Sequence, residues 1–177
     1  RCMPRRTNGD SLPSFLLVFK LMIILSVDPG LEKFGYALFN IEKKPKKYIY
    51  LTSGLVKSNR KDTIEKRIFF IYSYLKDLID KYNPKILVIE QLFFFKNKKT
   101  IVPVSQVQGV ILLLAAQNNI KVEFLSPLQI KQVITGYGFS DKKSLEKMMN
   151  LVEKISKKKE DDEIDAIACG IAYYYLH

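Results

Sequence analysis

Ile23-Ile24-Leu25-Ser26-Val27-Asp28-Pro29-Gly30 reads as a short apolar strand that runs into an acid and then turns. Proline fixes φ and glycine frees it, so Asp-Pro-Gly after such a run marks a strand end rather than a helix. Downstream, Gly35 to Ile41 and Tyr48 to Lys57 are rich in aromatic and β-branched residues and are separated by polar turn segments. Three strands this close together predict an antiparallel meander.

The pattern then changes period. Ile64, Ile68, Ile71, Leu75, Leu78 and Tyr82 recur at three- and four-residue spacing, one apolar stripe of a helix that Asn83-Pro84 stops. Ile86 to Ile89 is a solid apolar run, as a central buried strand requires, and it ends at Glu90. Gln91 to Thr100 reads as a loop carrying three phenylalanines and then Lys96, Lys98 and Lys99. Val104 to Ala116 is apolar nearly all round, which predicts a helix covered on two sides, by the sheet and by a partner subunit. Lys121 to Leu125 supplies a fifth strand, and Ser126-Pro127 opens a helix with a cap and a proline at its first position. After Gly136-Tyr137-Gly138 come two more helices, Asp141 to Ile155 and Asp161 to Leu176. The sum is an α/β chain with a five-stranded mixed sheet flanked by helices.

Upstream of the first strand, residues 1–21 read differently. A polar, basic start precedes an apolar run from Phe15 to Val27 that Lys20 interrupts. The run is too short to span a bilayer, and no small-residue cleavage site follows it. Residues 1–21 are therefore an extension outside the fold, and Met22 is a natural start for a single domain over 22–177.

The chain carries 29 Lys+Arg against 18 Asp+Glu, a net charge of +11. Residues 1–21 hold four basic side chains and one acid, so the domain itself keeps a net +8. This balance favours a polyanionic partner, nucleic acid before an acidic membrane surface. Cys2 and Cys169 stand far apart and the single histidine is the last residue, His177. That count argues against a disulfide framework and a zinc site, and a reducing cytoplasm is the expected compartment. Any metal must be held by oxygen, which points to magnesium or manganese.

Four acids could do this. Asp28 and Glu90 end the first and fourth strands; if those strands are neighbours, both emerge at one edge of the sheet, where α/β folds place ligands. Asp162 and Asp165 are three apart on the last helix and share a face, with Asp165 at the margin of the apolar stripe of Ile164, Ile167, Ala168 and Ile171. Converging carboxylates are what phosphodiester hydrolysis with two divalent ions, roughly 3.5–4 Å apart, requires. Each acid also has a plainer reading. Asp28 is a turn former, Glu90 is where a strand meets water, and Asp161-Asp162-Glu163 is an acidic helix start that suits the helix dipole.

At this point a family resemblance enters. Ser26-Val27-Asp28-Pro29-Gly30 with Gly35-Tyr36, and Ile89-Glu90-Gln91-Leu92-Phe93-Phe94 with Lys96-Asn97, resemble the RuvC family of Holliday junction resolvases. So do Ser126-Pro127-Leu128-Gln129-Ile130-Lys131-Gln132, Gly136-Tyr137-Gly138 and Asp162-Glu163-Ile164-Asp165-Ala166-Ile167-Ala168. The likeness runs from Met22 to the C-terminus, in order.

It implies a ribonuclease-H-like fold, a homodimer, and paired symmetric nicks in four-way DNA junctions during recombination and repair. It also implies two Mg2+ per subunit (Mn2+ substituting) on Asp28, Glu90, Asp162 and Asp165, and cooperation with the branch-migration proteins RuvA and RuvB. Phe93 matches an aromatic that stacks on a base, and Lys131 and Lys142 match basic residues that meet the DNA backbone. The residues agree in part. Phe93 beside the acids and ahead of Lys96 suits stacking, and Lys96, Lys98, Lys99, Lys131, Lys142 and Lys143 form an electrostatic footprint. Lys157, Lys158 and Lys159 read as solvated surface. Three features depart from the family: the extension, Phe95, and Gln108 where arginine is common. Two alternatives stay open, a YqgF-type nuclease acting on ribosomal RNA precursors and a non-catalytic junction-binding protein.

Overall fold

The computed structural model describes residues 22–43, 46–91, 98–141, 143–145, 147–148 and 159–177. Strands β1 (Met22–Asp28), β2 (Lys33–Lys43) and β3 (Lys46–Lys57) come first, then helix α1 (Ile64–Tyr82) and strand β4 (Ile86–Glu90). Helix α2 (Lys98–Gln117), strand β5 (Lys121–Leu125), helix α3 (Pro127–Thr135) and a last helix, α4 (Asp161–Leu176), complete the order. The five strands form one mixed sheet in the order β3-β2-β1-β4-β5. The first three pair antiparallel, as the meander predicts, while β1 with β4 and β4 with β5 pair parallel.

Because side chains alternate along a strand, β1 and β4 feed two different cores. Leu25, Val27, Leu87 and Ile89 point to one face, where they are fully buried beneath Ile71 and Leu75 of α1 and Ile111 and Leu114 of α2. Ile24, Ile86 and Val88 point to the other, against Ile130 and Ile134 of α3 and Ile167 and Ile171 of α4. Fully burying each such side chain contributes about 1.5–3 kcal/mol, so both helical layers are held by the same two strands.

Helix α4 lies directly on the sheet because two glycines let it. A Cβ on Gly170 would stand 2.2 Å from Cε2 of Phe39 and 2.7 Å from Oγ of Ser26. A Cβ on Gly35 would stand 1.9 Å from the carbonyl oxygen of Asp162. The Ser26 hydroxyl uses this closeness, donating to the Ala166 carbonyl at 2.7 Å.

Element ends follow the local chemistry. Ser126 and Gln129 form a reciprocal capping box at the start of α3, and Gly136 ends it with φ +77°. Helix α2 starts earlier than Val104, at Lys98, and runs through Pro103. Pro103 is the sixth residue of the helix, past the first turn, and forgoes one intrahelical bond without ending it. Val107, Ile111, Leu114 and Ala115 cover its sheet side, whereas Val102, Leu112 and Leu113 are exposed. Of the helix expected over Asp141 to Ile155, residues 143–145 and 147–148 are helical. Asp141 precedes them outside the helix and accepts from Ser144 N at its Oδ1, and the rest lies outside the described residues, as do residues 1–21. No helix among the described residues is long and apolar enough to cross a membrane.

Candidate active site

The register of the sheet puts Asp28 and Glu90 side by side. β1 and β4 are parallel, with Val27 opposite Ile89, so each strand's next residue is its acid. Both acids fall on the alternation of Ile24-Ser26-Asp28 and Ile86-Val88-Glu90, which faces α4. Across β1, Asp28 pairs with Gly35, the glycine on which the first turn of α4 rests. That contact brings Asp162 to the same edge, and Asp165 follows one turn along.

Cys169, four residues past Asp165, is wholly buried. Burial pushes its thiol well above the usual range, and the negative charges of Glu90, Asp28 and Asp165 push it further. Asp162 also meets a lysine: its Oδ2 lies 4.0 Å from Nζ of Lys33, and its side chain is 30% exposed. Among the described residues, no group of three or more His, Cys, Asp or Glu side chains is arranged to hold one metal ion. The donor chemistry still fits a hard cation. The acids supply oxygen only, and His177 sits at the other end of α4, stacked on Tyr173.

The start of α4 is fastened by groups that the sequence does not flag. Glu160, just ahead of the helix, binds Lys33 of β2 at 2.8 Å and also Lys57 of β3. Lys33 first, then Lys57, holds its carboxyl below the usual range. Glu163 takes hydrogen bonds from Ser53 of β3 and from Lys159, and Lys159 also donates to Ser53 Oγ at 2.9 Å. Lys159 thus corrects its expectation as solvated surface: its side chain is 18% exposed. Burial opposes its charge, yet the bond to Glu163 keeps its ammonium above the usual value. Only the Lys159–Glu163 spacing of four was open to sequence reading; the strand partners lie 103 to 127 residues away in the chain.

Of the expected DNA contacts, Lys131 is on α3, half-buried, and Lys143 is exposed nearby. Phe93, Lys96 and Lys142 lie outside the described residues, as do Phe95 and the side chains of Lys98 and Lys99. Gln108 is half-buried on α2.

Comparison with known proteins adds the family. Residues 24–173 match the family model "Crossover junction endodeoxyribonuclease RuvC". The chain is 40% identical to the RuvC of Brachyspira hyodysenteriae over 152 residues, 86% of this chain and 93% of that one. It is 37% identical to the RuvC of Fusobacterium nucleatum over 153 residues, 86% of this chain and 80% of that one. The fold is similar to Thermus thermophilus RuvC, with a TM-score of 0.77 at 22% identity over 88% of this chain and 95% of that one. It is also similar to the fowlpox virus resolvase solved with Holliday junction DNA, with a TM-score of 0.59 at 21% identity over 88% and 98% of the two chains. The sequence match spans nearly the whole described sheet and its helices, so the chain belongs to the RuvC family of crossover junction endodeoxyribonucleases.

Proposed function

We propose that the chain is a structure-specific, magnesium-dependent endonuclease that resolves four-way DNA junctions, with Asp28, Glu90, Asp162 and Asp165 as its catalytic carboxylates. The observation that carries this is the register of the parallel strands β1 and β4, which ends both at an acid, Asp28 and Glu90, beside the edge where Gly35 meets the first turn of α4. Family membership supplies the substrate class and the hydrolysis of a phosphodiester. The net charge of +11 suits a polyanion.

Asp28, Glu90, Asp162 and Asp165 would hold two magnesium ions per subunit. Such ions would supply water activation and charge relief at the leaving oxygen when held by these four carboxylates. The chain's own part is positional. β1 and β4 fix two acids at adjacent register positions, and Glu160 and Glu163 tie the helix that carries the other two to β2 and β3. Lys131 binds backbone phosphate, as do Lys96 and Lys142, and Phe93 stacks on a base in this reading.

Paired nicks need two sites related by symmetry, so the active form is a homodimer. The exposed Val102, Leu112 and Leu113 of α2 support an interface there. Cooperation with RuvA and RuvB rests on the family likeness alone, and a reducing cytoplasm rests on cysteine usage.

The test is cleavage of a synthetic four-way junction with magnesium, beside a structured RNA and a linear duplex. Paired nicks in the junction that Asp28→Asn abolishes, with junction binding kept, support the reading. Preference for the RNA, or undiminished cutting by Asp28→Asn, overturns it.

A further inference from the structure

Tyr137 and Phe139 are 62% and 76% exposed, with ring centroids 5.9 Å apart and tilted at 55°. Their loop is not loose. Gly138 N donates to Oε1 of Gln132 at 2.9 Å, and Nε2 of Gln132 returns a bond to the Gly136 carbonyl at 2.9 Å. Tyr137 N donates to Oγ1 of Thr135 at 3.2 Å, and Ser140 N to the Tyr137 carbonyl at 3.1 Å. Gly136 in the left-handed region makes the bend that these bonds close. A backbone held this firmly while presenting two rings to water displays them rather than failing to bury them.

The loop's position is informative. Gly138 packs back on the first turn of α3, where a Cβ would stand 3.2 Å from the Leu128 carbonyl. That turn begins just past Leu125, which pairs with Glu90. The rings therefore stand beside α3, over its first turn. They border an apolar groove lined by Leu128 and Val133 of α3 and by Leu176 at the C-terminal end of α4.

Charge selects the occupant. The surroundings are basic: the Asp141 carboxyl is lowered first by its hydrogen bonds with Ser144 and then by the charges of Lys143 and Lys131. Exposed rings set among lysines suit a polyanion that also offers flat aromatic faces.

We propose that Tyr137 and Phe139 form an aromatic platform that stacks on nucleobases of the bound DNA, distinct from the expected Phe93 contact. This rests on the DNA reading above and adds to it a second place where bases are held. Stacking is indifferent to sequence, so the platform contributes affinity for distorted or unpaired DNA rather than base preference.

The chain has no tryptophan, so Phe139→Trp installs a unique fluorophore. Its emission is followed while junction DNA is added without magnesium, and while protein alone is concentrated. A Tyr137→Ser/Phe139→Ser double variant is assayed in parallel for junction affinity and thermal unfolding. The platform predicts quenching that saturates with the junction and about a tenfold loss of affinity in the double variant, with unfolding unchanged. Unquenched emission at saturating junction, or wild-type affinity in the double variant, overturns it. So does an emission change that follows protein concentration without DNA, which assigns the rings to a second copy of the chain. If the wild-type chain binds no junction, the broader function fails first, and that result is distinguishable from these.

Discussion

The two faces of the central strands differ in what they are built to do, although one pair of strands supplies both. On the α1 and α2 side, Leu25, Val27, Leu87 and Ile89 make a dry layer in which each side chain is wholly buried. On the α4 side, β1 runs from Ile24 through Ser26 to Asp28, and β4 from Ile86 through Val88 to Glu90. Polarity rises toward the edge on this face alone. A strand with period two can thus anchor a core and aim an acid with adjacent residues. The first face is a dry core; the second ends in the acids to which the proposed function assigns the chemistry.

Adjacent substitutions on β4 should separate the two faces most sharply. Glu90→Gln is expected to lower junction cleavage on the order of 10³-fold or more, leaving thermal unfolding near wild type. Ile89→Ala, one residue away, should cost about 2–5 kcal/mol in denaturant unfolding while the remaining folded fraction keeps its cleavage rate. If both variants lose stability and activity in the same proportion, the division between faces is wrong.

Gly35→Ala probes the seam between sheet and helix. The added methyl meets the Asp162 carbonyl, so α4 must shift where it carries two acids. Overpacking of this kind costs about 1–3 kcal/mol, and a small misplacement of reacting groups can cost about 10²-fold in rate. A drop in single-turnover cleavage larger than the unfolded fraction explains is the expected result. Unchanged cleavage would place α4 outside the reaction.

The smallest effect concerns the fastening of α4. Glu160 is held below its usual 4.5, so its contribution is present above that value and lost as pH falls through the lowered one. Lys33 is held above its usual 10.5 by Glu160, so its share is present below that value and lost as pH rises through the raised one. The link is intact at neutral pH. Glu160→Gln should flatten the acid limb of a stability-against-pH curve below about pH 4.5 and leave the middle nearly unchanged, since exposed pairs contribute little. A wild-type acid limb in that variant would show that the pair is idle.

Much of this comparison was legible in the residues themselves. The apolar runs that stop at Asp28 and Glu90 gave two strands ending in acids, and the period shifts gave the helices between them. What the residues could not give is adjacency. That Val27 lies opposite Ile89 depends on β4 inserting between β1 and β5, a matter of topology rather than local pattern. The fastening of α4 was hidden for the same reason. Lys159 sits in a lysine run that resembles solvated surface, and only Ser53, 106 residues away, makes it a half-buried partner. The exposed side of α2 shows the opposite limit, since an apolar stripe predicts a cover without saying what provides it.

The proposed chemistry requires that acids from β1, β4 and α4 share bound cations. Manganese titration followed by electron paramagnetic resonance measures this without any DNA. About two ions per chain are expected to bind saturably to the wild-type protein, with both sites weakened in Asp28→Asn and in Asp165→Asn while the fold stays intact. Equal manganese binding by the wild-type protein and both variants would contradict it.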